Sequence, residues 1–531
     1  SSDVCSSDLG PGMKEGDTET TLAIDFGSTN SVAYLYKNGQ NIRVNDDVNS
    51  GVVLFPSLVK YIGNQVFTCT SALTTRNNKQ NGHVVSCVKR LIGLTYGESY
   101  ELCQSNIFGC SVVDGGDGYP RFVVSDSGKK KDCIEVASEI FKNIKKEAER
   151  MNDRKAIKNC YVTVPANYTE AQRSAIMSAA EKAGMTVNRF FIEPTAAAMS
   201  WCYDNAGKVD TGDHILVFDF GGGTLDLSIL RYQGNDRFKV IKTDGNPRLG
   251  GNDVDLELAK SVCNDLHCDF DSFPAKRQLR ILKQCEAAKI DLGSRDSVEM
   301  YMGEVDPKLN MDVTLSHKVL DNIVNTIFIP RIKACLDRIL EGLNCDINFV
   351  LMVGGSSRLR AVIEYLKKRF SNALLPHIDP ESCVAEGALL MATGDVEPIE
   401  CLNFSYGILS ARTNDVVMLL SKGTELPCVS ESKQFQPTNN DPYIYSSVYQ
   451  WNGSYEEGTK CHKPKSECTL VGDYRFSNRF RFGKKPILTL TFSAQEGGLL
   501  LVECHDQNGK VLNKTKYRNV SRSEERRVGK E

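Results

Sequence analysis

Two segments of the chain repeat one motif, and this repeat limits the possible folds more than any other feature of the sequence. Residues 21–36 (TLAIDFGSTNSVAYLY) and 215–230 (ILVFDFGGGTLDLSIL) both carry an Asp-Phe-Gly core between apolar runs. Apolar runs on both sides of a glycine-containing turn are typical of a β-hairpin. Because both copies have the same strand–turn–strand context, we predict two related lobes, each contributing one glycine-rich hairpin.

Helical patterns separate the two hairpins and continue after the second. Over residues 132–151 apolar residues fall on one face of a predicted helix, and a second helix is predicted over 170–183. A short buried strand is predicted at 349–353, and another helix follows it. Alternating strands and helices are typical of an α/β domain. We place this domain at residues 20–393.

The sequence pattern changes near residue 394. Over residues 402–520 short apolar runs such as GILSA and YIYSSVYQW alternate with turn residues, which predicts a separate all-β domain. Residues 394–401 (GDVEPIEC) contain a proline and acidic residues and are predicted to form the linker. Residues 1–12 and 522–531 resemble translated sequencing adapters, so they are excluded from the fold prediction.

Composition excludes several functional classes. The chain has 531 residues, too many for one ordinary core, and its 41% hydrophobic and 25% charged content is that of a soluble globular protein. Lys and Arg number 64 against 67 Asp and Glu, so charge gives no reason to expect nucleic acid or an anionic membrane as a partner. No apolar run reaches the roughly 20 residues needed to cross a bilayer. Residues 1–21 lack the apolar core of a signal peptide, so a cytoplasmic location is expected.

The 19 cysteines are scattered along the chain and include no Cys-x-x-Cys pair. Cys461, His462 and Cys468 come closest to a metal cluster, but they lack a second ligand pair at zinc spacing. Free thiols in a reducing cytoplasm are therefore expected.

The glycine turns of the two hairpins have the composition of phosphate-binding loops. Glycine lets the backbone approach an anion, so several N–H groups can converge on phosphate oxygens. Asp25 and Asp219 precede the turns, and phosphate would repel their carboxylates unless a cation lay between carboxylate and phosphate. The two aspartates therefore imply Mg²⁺. Alternatively each aspartate only caps a tight hairpin, although two copies favour the phosphate interpretation. A P-loop is excluded, since Gly-x-x-x-x-Gly-Lys-[Ser/Thr] does not occur.

Eight runs that occur in order along the chain resemble the DnaK-type heat shock protein 70 ATPases of the actin and sugar-kinase superfamily. In chain order the runs are IDFGSTNSVAYLY, VKRLIG, VTVPANYTEAQRSAIMSAAEKAG, FIEPTAAAMSW, LVFDFGGGTLDLSIL, LGGNDVD, CEAAKIDL and VGGSSRLR. The resemblance implies an α/β, actin-like, two-lobed ATPase domain with a duplicated ribonuclease H-like fold, followed by an all-β sandwich that binds peptides. It also implies ATP or ADP, Mg²⁺ and K⁺ as cofactors.

The resemblance implies a catalytic role for five residues. Asp25 and Asp219 would hold Mg²⁺ through its hydration shell, and Lys89 would contact the γ-phosphate and position the attacking water. Glu193 would complete the water and metal network, and Thr224 would contact the γ-phosphate. Which of the three carboxylates takes the water's proton stays open. Without the resemblance, Lys89 would be interpreted as a surface lysine and Glu193 as a carboxylate at the start of a helix.

The resemblance also implies a set of residues that bind the nucleotide. They are Gly27, Ser28, Thr29 and Asn30 in the first turn, Gly221, Gly222, Gly223 and Asp226 at the second, Gly250 and Gly251, Glu286 and Lys289 at the ribose, Gly354, Gly355, Ser356 and Arg358 at the adenosine, and Glu381. Thr224 and Asp226 would also contact the monovalent cation.

Two residues near the adenosine depart from the family pattern. Ile290 stands where many members have an arginine that stacks on adenine opposite the position of Arg358, and Gly293 replaces a hydroxyl residue. Loss of one stacking guanidinium removes about 1–2 kcal/mol of binding free energy. We therefore expect weaker nucleotide binding or faster exchange.

In the β domain the resemblance is fainter, and it places Ile408, Phe435 and Ile444 near the apolar pocket for a client's side chain. Such a pocket would select one residue of an extended peptide that main-chain hydrogen bonds hold. The alternative, that these residues are ordinary sandwich core, is equally open, and Ser446 stands where the family prefers an aliphatic residue. In the linker Glu400 interrupts the family's run of leucines, so altered interdomain coupling is expected.

The leading hypothesis is an ATP-driven chaperone whose nucleotide state switches its affinity for unfolded polypeptides, with a J-domain co-chaperone and a nucleotide exchange factor as partners. A second hypothesis is a relative that binds nucleotide, hydrolyses it weakly or not at all, and acts as a scaffold or ribosome-associated co-chaperone. A third, a small-molecule kinase of the same superfamily, predicts a sugar site and no appended β domain. The catalytic residues favour the first hypothesis, whereas Ile290 and Glu400 favour the second.

Overall fold

The structure is a computed structural model that describes most of the chain. The residues described are 20–46, 51–74, 82–205, 207–304, 312–394, 402, 404–422, 424, 426–437, 443–455, 459–477, 486–495 and 499–517. They form two compact units. The first contains the described residues up to Pro165, Ala175–Phe238 and those from 242 to 394, and the second contains Ala166–Ser174, Lys239–Ile241 and those from 402 onward. Apart from Gly394, the predicted linker lies outside the described residues.

The strands up to residue 353 belong to several sheets. In chain order they are β1 (Thr21–Asp25), β2 (Asn30–Lys37), β3 (Gln40–Arg43), β4 (Phe55–Pro56), β5 (Val59–Ile62), β6 (Gln65–Thr68), β7 (His83–Val85), β8 (Val112–Asp114), β9 (Pro120–Val123), β10 (Lys130–Asp132), β11 (Asn159–Val164), β12 (Thr186–Ile192), β13 (His214–Phe220), β14 (Leu225–Gly234), β15 (Arg237–Asn246), β16 (Ser297–Tyr301), β17 (Asp312–Ser316) and β18 (Phe349–Val353).

The α-helices lie between these strands and after the last of them. In chain order they are α1 (Thr70–Thr74), α2 (Tyr100–Cys103), α3 (Cys133–Met151), α4 (Glu170–Lys182), α5 (Glu193–Asp204), α6 (Gly251–Asp265), α7 (Ala275–Asp291), α8 (His317–Ile323), α9 (Ile329–Leu340), α10 (Arg360–Arg369) and α11 (Cys383–Thr393). Among the described residues, none of these helices is long and apolar enough to cross a membrane.

The two widest sheets of the first unit share one arrangement. One has the order β12-β11-β1-β2-β3, with β4 also paired to β2, and the other has the order β15-β14-β13-β18. Strand β1 is antiparallel to β2 and parallel to β11, and β13 is likewise antiparallel to β14 and parallel to β18. Asp25 ends β1, and Asp219 is the last residue but one of β13. Both predicted hairpins are therefore present, and each brings an aspartate to the start of its glycine turn.

Helix α3 begins where its sequence provides a capping box. Asp132 accepts a hydrogen bond from the backbone N–H of Glu135, and the Glu135 side chain accepts one from the backbone N–H of Asp132. Reciprocal bonds of this kind satisfy two N–H groups at a helix start. The apolar face of α3 is buried, and the ring centroid of Phe141 lies 5.1 Å from that of Phe26. The helix therefore supports the backbone directly before the first glycine turn.

Helices α5 and α11 approach one another very closely. A Cβ atom on Gly387 of α11 would overlap the carbonyl oxygen of Ala196 on α5 and would lie 2.5 Å from its carbonyl carbon. Glycine permits this approach because it has no side chain. Since α5 begins with Glu193, the crossing helps to position a candidate catalytic side chain.

The second unit is built from antiparallel strands. In chain order they are β19 (Ser405–Leu409), β20 (Asp415–Leu420), β21 (Cys428–Val429), β22 (Lys433–Phe435), β23 (Tyr443–Trp451), β24 (His462–Pro464), β25 (Thr469–Ser477), β26 (Leu488–Gln495), β27 (Leu499–His505) and β28 (Val511–Tyr517). One sheet has the order β24-β20-β19-β23-β25 and the other β21-β26-β27-β28, with β22 also paired to β26. Buried residues of both sheets, including Val448, Tyr474, Phe492 and Val502, form one hydrophobic core.

Candidate functional site

The two glycine turns, which lie far apart in the sequence, are in direct contact. A Cβ atom on Gly222 would overlap the hydroxyl oxygen of Thr29 and would lie 3.3 Å from Oδ1 of Asn252. A residue with a side chain would therefore force the turns apart at this point. The structure thus brings together the two segments in which the sequence predicts phosphate binding.

Two serines fix the shape of the first turn. The Ser57 hydroxyl donates to the carbonyl oxygen of Gly27 at 2.7 Å, and its backbone N–H donates to the carbonyl oxygen of Thr29 at 2.8 Å. The hydroxyl oxygen of Ser31 accepts a hydrogen bond from the N–H of Gly27 at 3.2 Å and lies 3.0 Å from that of Ser57. Both serines are buried. Sequence reasoning missed them, since nothing in their local sequence sets them apart from other polar residues.

Three aspartates lie beside the turns in a poorly solvated cluster. Burial, and after it the charge of Glu193, raises the pKa of Asp25 to about 7, although Thr163 donates a hydrogen bond to it at 3.1 Å. Burial also raises the pKa of Asp219 well above its usual range, and the charges of Glu193, Asp226 and Asp25 add to this effect. The pKa of Asp226 is raised to about 6, again mainly by burial. The carboxylates therefore repel one another across one small volume.

Lys89 and Glu193 form a buried ion pair in the same cluster. Nζ of Lys89 lies 2.6 Å from Oε1 of Glu193, and the two side chains are only 11% and 8% exposed. Lys89 lies in the short helical turn Val88–Arg90, and its charge lowers the pKa of Asp25, Asp219 and Asp226. The surface-lysine interpretation of Lys89 is therefore wrong. Breaking a buried pair of this kind is costly, because the remaining charge is left without its partner.

The second turn is held through its carbonyl oxygens. The N–H of Gly251 donates to the carbonyl of Gly221 at 2.9 Å, and the N–H of Asn252 donates to that of Gly222 at 2.7 Å. The Ser356 hydroxyl also donates to the carbonyl of Gly221, at 2.9 Å. A Cβ atom on Gly250 would overlap the carbonyl oxygen of Gly222, so the start of α6 packs directly on the turn.

Four residues predicted at the nucleotide's phosphates occupy the ends of these turns. Asn30 is the first residue of β2, and Ser28 precedes Thr29 in the first turn. The Thr224 hydroxyl, after the second turn, donates to Oδ2 of Asp226 at 2.7 Å. In the β13–β14 pairing Asp226 lies directly opposite Asp219. The structure therefore brings Thr224 and Asp226 to the same cluster as the two predicted metal-binding aspartates.

Arg90 packs against the second turn, which sequence reasoning missed although the residue lies in the VKRLIG run. A Cβ atom on Gly223 would lie 2.9 Å from Cδ of Arg90. The guanidinium donates to the carbonyl oxygen of Pro247, and burial lowers its pKa. Arg90 thus links the segment that carries Lys89 to the half of the unit that carries Asp219.

The residues predicted at the adenosine lie at the end of β18 and beyond. Gly354 has a φ of +81°, and a Cβ atom there would lie 2.5 Å from the carbonyl oxygen of Phe220 and 2.9 Å from Oδ1 of Asp219. Only glycine fits both requirements. Nη2 of Arg358 lies 3.4 Å from a carboxylate oxygen of Glu381, and a Cβ atom on Gly355 would lie 3.2 Å from the same carboxylate. Glu381 therefore contacts the predicted adenosine loop.

The pair predicted to contact the ribose, Glu286 and Lys289, lies on α7, and Lys289 already has partners within the protein. Nζ of Lys289 lies 2.8 Å from Oδ1 of the buried Asp255 and donates to the carbonyl oxygen of Gly251 at 3.1 Å. Burial raises the pKa of Asp255 to about 6 in spite of this partner. Glu286 lies one helical turn before Lys289. Asp255 was not predicted, although an acid among the apolar positions of α6 is the signal that marks it.

Three features of the first unit fit a magnesium–triphosphate. Thr29 Oγ1 is buried and has no hydrogen-bond partner among the described residues, so its hydroxyl can serve a ligand. The pKa values of Asp25 and Asp219 are raised, and a cation beside them would lower both again. Asp25 and Asp219 also bring carboxylate oxygens, the kind of ligand that Mg²⁺ binds, next to the two glycine turns.

In the second unit the three residues predicted for peptide binding share one hydrophobic cluster. Ile444 is buried in the core, and Ile408 and Phe435 pack against that core while partly exposed. Ile408 pairs with Val417 and Val448 of the neighbouring strands. Burial of Ile444 is what ordinary core predicts, and the partial exposure of the other two is what a pocket predicts.

Comparison with known proteins identifies the family. The family model described as Hsp70 protein matches residues 21–442. The chain is also 28% identical over 506 residues to the protein named Chaperone protein DnaK of Ureaplasma urealyticum serovar 10 (strain ATCC 33699 / Western), covering 92% of this chain and 77% of that relative. The chain therefore belongs to the Hsp70 family of ATP-binding chaperones that act in protein folding, as a divergent member.

Proposed function

We propose that this chaperone hydrolyses ATP and uses the reaction to switch its affinity for extended polypeptide segments. The observation that carries the proposal is the contact of the two glycine turns beside a buried Lys89–Glu193 pair and two aspartates. Phosphoryl transfer to water depends mainly on positioning and charge neutralisation. These residues supply both in one buried cluster.

Each residue of the cluster has a part in the proposed reaction. Lys89 donates to the γ-phosphate and orients the attacking water, and Glu193 fixes the position of the lysine. Asp25 and Asp219 are the residues that would hold Mg²⁺, which would supply positive charge against the triphosphate. Thr224 contacts the γ-phosphate, and with Asp226 it provides oxygen ligands suited to K⁺. Asp25, Asp219 and Glu193 form the carboxylate network to which the water's proton passes.

The fold proposed for the first unit is the duplicated ribonuclease H-like fold of actin-like ATPases. It is supported by the same strand order and the same directions around β1 and β13. For the second unit we propose a β-sandwich that binds extended peptides, with Ile408, Phe435 and Ile444 lining the pocket. Unfolded polypeptides, a J-domain protein and a nucleotide exchange factor are the proposed partners, and a cytoplasmic location stays a prediction.

Single-turnover ATP hydrolysis, measured with and without an unfolded peptide and a J-domain, tests this proposal. We expect hydrolysis that the peptide and the J-domain accelerate. ATP that stays bound and unhydrolysed would contradict the proposal and would favour a scaffold that holds nucleotide. That second function is supported by Ile290, whose 66% exposed side chain carries no charge to stack on a base.

Introducing an arginine at position 290 is expected to tighten ATP binding by about 5- to 30-fold, since a stacked guanidinium contributes about 1–2 kcal/mol. The exposure of Ile290 leaves room for the longer side chain. Equilibrium titration of Ile290→Arg with a fluorescent ATP analogue measures the effect. The Ile290→Gln variant is the control, because it adds a polar side chain without charge. Equal affinity in the two variants would mean that position 290 does not face the base.

A further inference from the structure

Helix α6 ends in a motif that brings two cysteines together. After Asp265 the chain turns at His267, which has a φ of 55°. The N–H of Cys268 donates to the carbonyl oxygen of Cys263 at 2.9 Å, and the N–H of His267 donates to that of Asn264 at 3.0 Å. This pair of hydrogen bonds and the left-handed residue define a Schellman motif.

In a Schellman motif two side chains pack together: that of the third residue counted back from the last helical residue, and that of the second residue after the C-cap. Here the last helical residue is Asp265 and the C-cap is Leu266. The two packed positions are therefore Cys263 and Cys268. The thiol of Cys268 donates to the carbonyl oxygen of Cys263 at 3.3 Å, so the Cys268 side chain lies against the residue with which it would pair. Cys263 is fully buried, whereas Cys268 is partly exposed, so a reagent in solution can reach the second thiol first.

We propose that Cys263 and Cys268 are a redox-modifiable pair that small disulfides such as glutathione disulfide convert into an intrachain disulfide. A direct hydrogen bond between their backbones keeps the Cα atoms close, as the range of about 4.4–6.8 Å in disulfides requires. The inference rests on the end of α6 alone and does not depend on ATP hydrolysis.

The chemistry is two successive thiol–disulfide exchanges. The thiolate of Cys268 attacks glutathione disulfide, forms a mixed disulfide and releases one glutathione thiolate. The thiolate of Cys263 then attacks the Cys268 sulfur and releases the second glutathione. Two cysteine thiols are oxidised to a disulfide, and one glutathione disulfide is reduced to two glutathione thiols. The two protons of the cysteine thiols end on the two glutathione sulfurs.

Cys263 shares α6 with Asp255, the ion-pair partner of the predicted ribose residue Lys289. Cys263 of α6 and Cys285 of α7 belong to the same buried hydrophobic cluster. The disulfide would lie at the end of α6, and α6 is one of the two helices that the Lys289–Asp255 ion pair joins.

Peptide mapping of the full chain tests the proposal. The protein is incubated with glutathione disulfide, quenched with an alkylating reagent under denaturing conditions and cut with trypsin. Cleavage after Lys260 and Lys276 releases residues 261–276, which contain Cys263 and Cys268 and no other cysteine. We expect this peptide to lose both alkylation sites together, to lack glutathione and to weigh two hydrogen atoms less than the reduced peptide. Dithiothreitol should restore both sites.

The Cys268→Ser variant is expected to leave Cys263 alkylatable under the same treatment. The Cys345→Ser variant, which removes another partly exposed thiol, should leave the linked peptide unchanged. Two results in the unchanged chain would overturn the proposal. In one, Cys268 keeps glutathione while Cys263 can still be alkylated; in the other, both thiols stay unmodified although Cys345 has reacted. These two readings need no variant, so a folding defect in Cys268→Ser cannot obscure the result.

Discussion

The Lys89→Met variant is expected to hydrolyse ATP about 10²- to 10³-fold more slowly than the unchanged chain in a single turnover. Methionine keeps most of the volume of lysine but removes the charge that would meet the γ-phosphate, and loss of one such preorganised donor typically has an effect of this size. The variant also leaves Glu193 buried without its partner, at a site where the unchanged chain has an N–O distance of 2.6 Å. Hydrolysis is measured with radiolabelled ATP already bound, so that weaker binding does not enter the rate.

The control for this experiment is Lys129→Met, which changes an exposed lysine of the same unit. Its rate should match that of the unchanged chain. A second variant, Lys89→Arg, keeps the charge but replaces the compact ammonium group by a planar guanidinium group. Its hydrolysis rate should lie between those of Lys89→Met and the unchanged chain. If Lys89→Met binds ATP and hydrolyses it within a few fold of the unchanged rate, Lys89 has no part in the reaction.

Replacing Gly387 by alanine is expected to destabilise the first unit by about 3 kcal/mol, the upper part of the usual range for overpacking a core. The added methyl group would overlap backbone atoms of Ala196, and backbone inside a packed helix cannot move aside as the end of a side chain can. Helices α5 and α11 must therefore separate. Because α5 begins with Glu193, we also expect slower ATP hydrolysis.

Chemical denaturation followed by tryptophan fluorescence measures this change. The chain has two tryptophans, Trp201 in α5 and Trp451 in the second unit. In a Trp451→Phe background the signal reports on the first unit alone. The matched control is Gly97→Ala, because a Cβ atom there would meet nothing within 4 Å. Equal unfolding midpoints for Gly387→Ala and Gly97→Ala would contradict the close helix approach.

Local sequence patterns predicted the elements that neighbouring residues determine. The strand predicted at 349–353 is β18, and the helix predicted at 132–151 is α3, shortened by its cap residue Asp132. These elements are predictable because alternation, helical period and capping act over a few residues. The hairpins around Asp25 and Asp219 were predictable for the same reason.

Contacts between distant segments could not be read from local patterns. Lys89 stands beside Arg90 and has the sequence context of a surface lysine, yet it is buried against a glutamate 104 residues later. The Lys289–Asp255 pair and the contact of Thr29 with Gly222 likewise join separate segments. The family resemblance supplied Lys89 and Lys289, whereas Asp255, Arg90 and Ser57 came only from the structure. Glu400 and the rest of the linker after Gly394 lie outside the described residues, so the expected change in coupling stays a prediction.

The proposed nucleotide site takes its residues from Asp25 at one end of the first unit to Glu381 near the other, and this spread has a consequence for synthesis. At about 5–20 residues per second, a ribosome needs on the order of tens of seconds to pass from the first of these residues to the last. During that time the growing chain holds the first aspartate but not Ser356, which bonds to Gly221. ATP can therefore contact the complete proposed site only after residue 381 has been synthesised.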